Sequence, residues 1–178
     1  MNPKIGIYFG TDTGRTRRIA KLIAQKLGDR ADAALNVNRV DPDTFLAHRV
    51  LILGAPTYGA GELPGLSTGL AQESWEEFLP RLRGRDMKGK TVALFGLGDQ
   101  DKYGGEFVDA LMILYDAMVA CGARVVGAWP TDGYSFKASQ ALLDGRFVGL
   151  ALDQINQPAL TEARIDAWLQ HLAHELES

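Results

Sequence analysis

Three short apolar runs, residues 5–9, 50–53 and 92–95, constrain this chain most. Each is too short for a helix and lacks the polar alternation of a half-exposed strand, so each reads as a strand covered on both faces. Two weaker strand candidates follow the same spacing, residues 34–38 and 125–129. Helical patterns fill the gaps. Residues 16–27 put Ile19, Ala20, Ile23, Ala24 and Leu27 on one face, and further helices are expected at 43–47, 75–82, 106–121 and 162–176. Ser74 and Glu77 have the spacing of a capping box, and Gly122 stands where a helix-ending glycine belongs. Five strands alternating with helices predict an α/β fold, a five-stranded parallel sheet with helices on both faces.

Two segments interrupt the alternation. Residues 56–73 contain Pro56, Pro64 and four glycines without periodicity. Residues 130–158 contain Pro130, Thr131-Asp132-Gly133, Asp144-Gly145 and an apolar run at 147–152. The second segment reads as an excursion inserted at the last strand, ahead of the final helix. Long connections in a compact domain are usually functional or disordered.

At 178 residues and 46% apolar, residues 1–178 are expected to form a single domain with a real core. No apolar run reaches membrane-span length and the N-terminus lacks a signal-peptide layout, so a cytoplasmic protein without membrane contact is expected. The single cysteine, Cys121, excludes an internal disulfide and a cysteine-based metal site; its expected role is a small buried group near a helix end. The net charge of −3 is uneven, basic over the first fifty residues and acidic toward the end. A docking surface of one sign is one reading, a solvated mixed surface the other. An acidic chain without a nucleic-acid module argues against nucleic-acid binding. His171, His174 and Glu175 share a helix face, but such a group is more often solvated than metal-binding. Trp75 and Trp168 fall on apolar helix positions and belong to the core, whereas Trp129 can be core or rim.

The first strand runs directly into Gly10-Thr11-Asp12-Thr13-Gly14-Arg15-Thr16 and then a helix. Backbone N–H groups at a helix start lack partners, and the helix dipole favours an anion there. Thr11, Thr13 and Thr16 add hydroxyl donors. The loop is neither a Walker A motif nor the Gly-x-Gly-x-x-Gly fingerprint. It reads as a hydroxyl-built phosphate seat, the alternative being an ordinary helix start. The loops after the third and fourth strands are also unusual: Pro56-Thr57-Tyr58-Gly59 and Leu97-Gly98-Asp99-Gln100-Asp101-Lys102-Tyr103. In open α/β sheets, ligands bind beyond the carboxyl ends of the strands. If these loops meet, a phosphate seat is flanked by two tyrosines, which suits a flat conjugated ring.

These motifs, together with Thr131-Asp132-Gly133-Tyr134 and Phe147-Val148-Gly149-Leu150-Ala151-Leu152-Asp153, resemble long-chain flavodoxins along essentially the whole chain. Residues 65–83, with Glu73-Ser74-Trp75-Glu76-Glu77-Phe78-Leu79-Pro80, are similar to the flavodoxins of nitrogen-fixing bacteria. The strand order 2-1-3-4-5 comes with the resemblance, flavodoxin being its standard example. The resemblance implies bound FMN, its phosphate on Thr11, Asp12, Thr13, Gly14, Arg15 and Thr16; for Arg15, a solvent-facing role is an even alternative. It further implies Pro56, Thr57, Tyr58, Gly59, Leu97, Gly98, Asp99, Tyr103 and Glu106 in the cofactor site. Tyr58 and Tyr103 would stack on the two ring faces. Glu106 departs from the polar residue often found there. At Gly59 the family's peptide reorients on one-electron reduction, so that a carbonyl accepts a hydrogen bond from flavin N5. Asp99, with Asp12, Glu62 and Asp101 nearby, would disfavour the anionic reduced ring.

The implied function is a low-potential one-electron carrier, not an enzyme, shuttling FMN between semiquinone and hydroquinone. Its implied partners are a flavodoxin reductase or oxidoreductase as donor and the nitrogenase iron protein as acceptor, with the chain a monomer. The enzymatic alternative is a flavodoxin-like NAD(P)H:quinone oxidoreductase. A phosphoacceptor receiver domain is disfavoured, because Leu53-Gly54 stands where that fold needs an aspartate.

Overall fold

The computed structural model describes residues 3–10 and 14–176. Thr11, Asp12 and Thr13 of the expected phosphate seat lie outside the described residues. The chain builds one parallel sheet from β1 (Gly6–Phe9), β2 (Leu35–Asn36), β3 (Val50–Pro56), β4 (Thr91–Leu97) and β5 (Arg124–Val126), in the order β2-β1-β3-β4-β5. Around it lie α1 (Arg15–Leu27), α2 (Pro42–Leu46), α3 (Trp75–Phe78), α4 (Ala110–Ala120) and α5 (Thr161–Leu176).

The strands' period of two sorts their side chains into two cores. Ile7 and Ile52 pack under α1 and α5 with Ile19, Ile23, Ile165 and Trp168. Tyr8, Leu51 and Leu53 point the other way, to Phe45, Trp75, Leu111 and Met118 from α2, α3 and α4. Both tryptophans are fully buried, and each indole N–H has a backbone acceptor: Trp75 donates to Gly54 O and Trp168 to Gly127 O, both at 2.9 Å. Burying such side chains stabilises by roughly 1.5–3 kcal/mol each, and pairing the indole removes the penalty for its polar atom.

Four expected boundaries are corrected. Strand 34–38 shrinks to β2, because the Asn36 side chain accepts from Asn38 N at 3.1 Å and turns the chain into a 3₁₀ segment at Val37–Arg39. Helix 75–82 divides after Phe78 into α3 and a 3₁₀ segment Leu79–Leu82, since Pro80 has no N–H to continue the α ladder. Helix 106–121 begins only at Ala110. Ahead of it Val108 is held at a φ of 50°, while Phe107 N donates to Ala138 O and Phe107 O accepts from the Ser139 hydroxyl. Strand 125–129 ends at Val126, where Gly127 adopts a φ of 86° beneath the Trp168 ring. The capping box is half formed: Glu77 accepts from Ser74 N at 2.9 Å. Glu77 N–H turns to the Ser74 carbonyl, and the Ser74 hydroxyl is buried without a partner among the described residues.

The 130–158 excursion is ordered by its own small core. β6 (Leu142–Leu143) and β7 (Arg146–Phe147) form an antiparallel hairpin through Asp144 and Gly145, both at positive φ, as a tight two-residue turn requires. Phe147 sits in a ring cluster with Phe107, Tyr134 and Phe136. Trp129 settles half-buried beside it, pairing with Phe147 and donating its indole N–H to Tyr134 Oη. The chain then returns as β8 (Leu150–Leu152), parallel to the far end of β4, with Phe95 opposite Leu150 and Leu97 opposite Leu152. The insertion thus divides the fifth strand position in two: β5 pairs the start of β4 and β8 pairs its end.

Candidate functional site

The carboxyl ends of β1, β3 and β4 open on a cleft of about 370 Å³, within the usual range of small-molecule sites. The structure gathers most of the expected site residues there. Arg15 and Thr16 enter from the start of α1; Pro56, Thr57, Tyr58 and Gly59 come from the end of β3; Leu97, Gly98, Asp99, Tyr103 and Glu106 follow β4. Gly14 stands just behind as the N-cap of α1 and does not line the cleft.

At its α1 end the cleft is polar and unsatisfied. Gly14 caps the helix with a φ of 88° and offers no side-chain acceptor; the first turn has no acidic residue. Thr16 is 1% exposed, and its hydroxyl has no hydrogen-bond partner among the described residues. A buried hydroxyl without a partner costs about 1–3 kcal/mol, so its position calls for an acceptor. Arg17, the next residue along α1, lies over the Phe9 ring at 5.6 Å rather than in the cleft.

The opposite end is built from satisfied loops. Tyr58 and Glu62 exchange backbone hydrogen bonds at 2.8 and 2.7 Å, closing a turn whose Gly59 and Gly61 take φ of 55° and 94°. The left-handed φ favours glycine at position 59, and a methyl there would approach Glu62 Oε1 to 2.9 Å, a contact that the flexible Glu62 side chain can relieve. The Thr57 hydroxyl accepts from Ala110 N at 3.2 Å and satisfies one N–H at the start of α4. Asp99 Oδ1 accepts from Asp101 N and Lys102 N at 3.2 and 2.9 Å, so this oxygen shapes its own loop. Tyr103 is 50% exposed and stands as a flat apolar surface at the cleft mouth.

Glu62 and Asp101, expected near a ring, do not line the cleft. Lys102, Gln154 and Ile155 line it and were not expected. Lys102 was hidden between two motif residues. Gln154 and Ile155 directly follow the Phe147-to-Asp153 run, so position in sequence was their one available signal. Elsewhere, Glu175 is drawn to the sheet edge, where its carboxylate accepts from Gly127 N at 3.2 Å. Among the described residues no group of three His, Cys, Asp or Glu side chains is arranged to hold a metal. Cys121 ends α4, its thiol 3.5 Å from Leu82 O, and burial pushes its pKa up.

The family model described as Flavodoxin matches residues 7–168. The chain belongs to the flavodoxin family. It is 55% identical over 168 residues to a flavodoxin of Klebsiella pneumoniae, covering 94% of this chain and 96% of that one. It is 57% identical over 169 residues to one from Enterobacter agglomerans, with the same coverage. Among solved structures, a Fusobacterium nucleatum flavodoxin bound to flavin mononucleotide superposes with a TM-score of 0.88 at 35% identity, over 98% of this chain and 99% of that one. Flavodoxins are electron-transfer proteins rather than stand-alone enzymes, and the cleft at the carboxyl end of this parallel sheet lies where ligands of such folds bind.

Proposed function

We propose that the cleft binds FMN and that this chain is a low-potential, one-electron carrier. The observation that carries the reading is the buried Thr16 hydroxyl, without a partner among the described residues, in the first turn of a helix whose N-cap makes no side-chain bond. A phosphate would accept from it and from N–H groups of the first turn, and would interact favourably with the helix dipole by about 0.3–1 kcal/mol. Thr11, Asp12 and Thr13 complete this seat in the proposal. The FMN-bound Fusobacterium nucleatum relative supports the choice of ligand.

The bound flavin supplies the one-electron chemistry. The protein's part is to bind, orient and exclude water. Tyr103, at the mouth, and Tyr58 both line the cleft and would stack on the ring, each stack contributing roughly 0.5–1.5 kcal/mol beyond area burial. Leu97 and Gly98 bring backbone close to the ring edge. The Gly59 peptide, in a turn clamped at its base by Tyr58 and Glu62, would offer a backbone carbonyl as an acceptor to the ring. Asp99 and Glu106 add negative charge at the wall, which disfavours extra charge on a reduced ring, and Lys102 offsets part of it.

The proposed setting is a single cytoplasmic domain working as a monomer, loaded by a flavodoxin reductase or oxidoreductase. The nitrogenase iron protein is the proposed acceptor, on the likeness of residues 65–83 to flavodoxins of nitrogen-fixing bacteria.

Stepwise anaerobic reduction followed by visible absorbance tests the reading. Two separated one-electron steps are expected. Direct two-electron bleaching by NAD(P)H alone would favour the oxidoreductase, and a colourless protein that takes up no added FMN would overturn both.

A further inference from the structure

We infer that Asp153 is a positioning residue for the ring-facing walls of the cleft, a buried carboxylate that locks the loop after β4 to the segment after β8. The inference rests on the FMN reading. Asp153 is 1% exposed, and none of the ion pairs among the described residues includes it. Carboxylates are rarely buried to this degree without a cation. N–H donors replace the cation here, and the two oxygens divide the work.

Oδ1 serves its own turn, accepting from Ile155 N at 3.0 Å and Asn156 N at 2.9 Å. A turn of this kind needs only one oxygen and no burial. Oδ2 reaches 53 residues back, accepting from Gln100 N at 3.1 Å and Gln100 Nε2 at 2.8 Å, and from Asn156 Nδ2 at 2.9 Å. Asn156 Nδ2 also donates to Asp99 Oδ1 at 2.8 Å, and Gln100 Oε1 accepts from Ser135 N at 2.5 Å. One carboxylate therefore joins the Asp99 loop, the segment bearing Gln154 and Ile155, and the insertion at Ser135.

Three of the residues held in this way, Asp99, Gln154 and Ile155, line the cleft. Burial alone would raise the Asp153 pKa, but the bonds from Asn156 and Gln100 together hold it below the ordinary carboxylate range. The carboxylate thus stays charged and acceptor-only, as five donors require. Its place depends on β8: Asp153 follows Leu152, whose carbonyl accepts from Gly98 N at 3.0 Å. The long insertion, by returning the chain to the edge of β4, supplies a wall of the cleft.

Asp153→Asn keeps the shape but turns an amide N–H₂ toward N–H donors. Titration of the apoprotein with FMN and with riboflavin, alongside urea unfolding, tests the role. Both dissociation constants are expected to rise at least tenfold and by the same factor, because the ring walls loosen and the phosphate seat does not. The bound flavin's visible spectrum is expected to shift as well. A purely structural role would lower the urea midpoint and leave both constants within twofold of the unmodified protein, which would overturn the inference. Weakening of FMN alone would also overturn it, since it would place the effect at the phosphate end. If Asp153→Asn does not fold, Asn156→Ala removes the link to Asp99: an equal loss of at least threefold for both flavins supports the inference, and unchanged affinities overturn it. Failure of the unmodified protein to take up either flavin would overturn the FMN reading and this inference with it; uptake by the unmodified protein with equal affinity in the variants overturns the inference alone.

Discussion

The two ends of the cleft differ in how complete they are before any ligand arrives. At the start of α1 the helix has no side-chain cap, the first turn carries no acidic residue, and Thr16 keeps a buried hydroxyl without a partner among the described residues. At the ring end, Thr57, Asp99, Gln100, Asp153 and Asn156 are engaged in hydrogen bonds within the protein. Unsatisfied donors cost stability in the free chain, and that cost is returned when an anion binds. Satisfied loops cost nothing further, and they preorganise a flat slot. One end gives affinity through completion, the other through shape.

The largest expected effect breaks the unsatisfied end. Thr16→Val removes the hydroxyl at nearly constant volume. A hydrogen bond to a charged group is worth roughly 1.5–3 kcal/mol, so FMN affinity is expected to fall by about ten- to over a hundredfold while riboflavin affinity is unchanged. The same variant relieves a buried unpaired group, so the apoprotein is expected to gain stability in urea; loss of stability would mean that the hydroxyl has a partner in the free chain. Gly98→Ala tests the preorganised end. Its added carbon would sit 2.8 Å from the Phe107 ring, and overpacking of this kind costs about 1–3 kcal/mol. The urea midpoint of the apoprotein is expected to drop accordingly, with both flavins weakened together.

Tyr103→Leu keeps an apolar side chain but removes the aromatic face. An aromatic contact worth about 0.5–1.5 kcal/mol predicts a two- to tenfold rise in both dissociation constants, measured by fluorescence titration. The last prediction concerns the supports beneath the two ends, where the flavin itself is not touched. Burial pushes the pKa of Tyr8, in β1, and of Tyr134, in the insertion core, up to about 12 from the ordinary 10. The folded state therefore holds these protons more tightly than the unfolded chain. Their contribution is fully present below pH 10 and is lost as pH rises toward 12. Stability measured across that window should fall, and ultraviolet titration of the folded protein should show two tyrosines ionising late.

Much of this was readable from local pattern. The apolar runs at 50–53 and 92–95 announced buried strands, since a strand covered by helices on both faces has no polar side to show. Arg15, Thr16, Tyr58, Gly98 and Tyr103 sat in motifs whose chemistry pointed to a cleft. Two of the misread boundaries have local causes, the Asn36 side chain and Pro80, and two, ahead of α4 and at Gly127, are set by segments far away in the chain. Residues 106–109 have a helical pattern, yet the bond that Phe107 N donates to Ala138 O and the one that Phe107 O accepts from the Ser139 hydroxyl, some thirty residues on, hold them out of the helix. Asp153 gave no hint of being a hub, because its decisive partner, Gln100, is 53 residues away.

By itself, the sequence determined the alternation of strand and helix and the faces that α1 and α5 bury, because each depends on neighbours within one or two turns of chain. The tertiary structure alone decided where β8 pairs, which oxygens of Asp153 serve which loop, and which of the expected acidic residues face the cleft. Those outcomes depend on contacts between segments far apart in the chain, and their energies exist only once the sheet has brought the segments together.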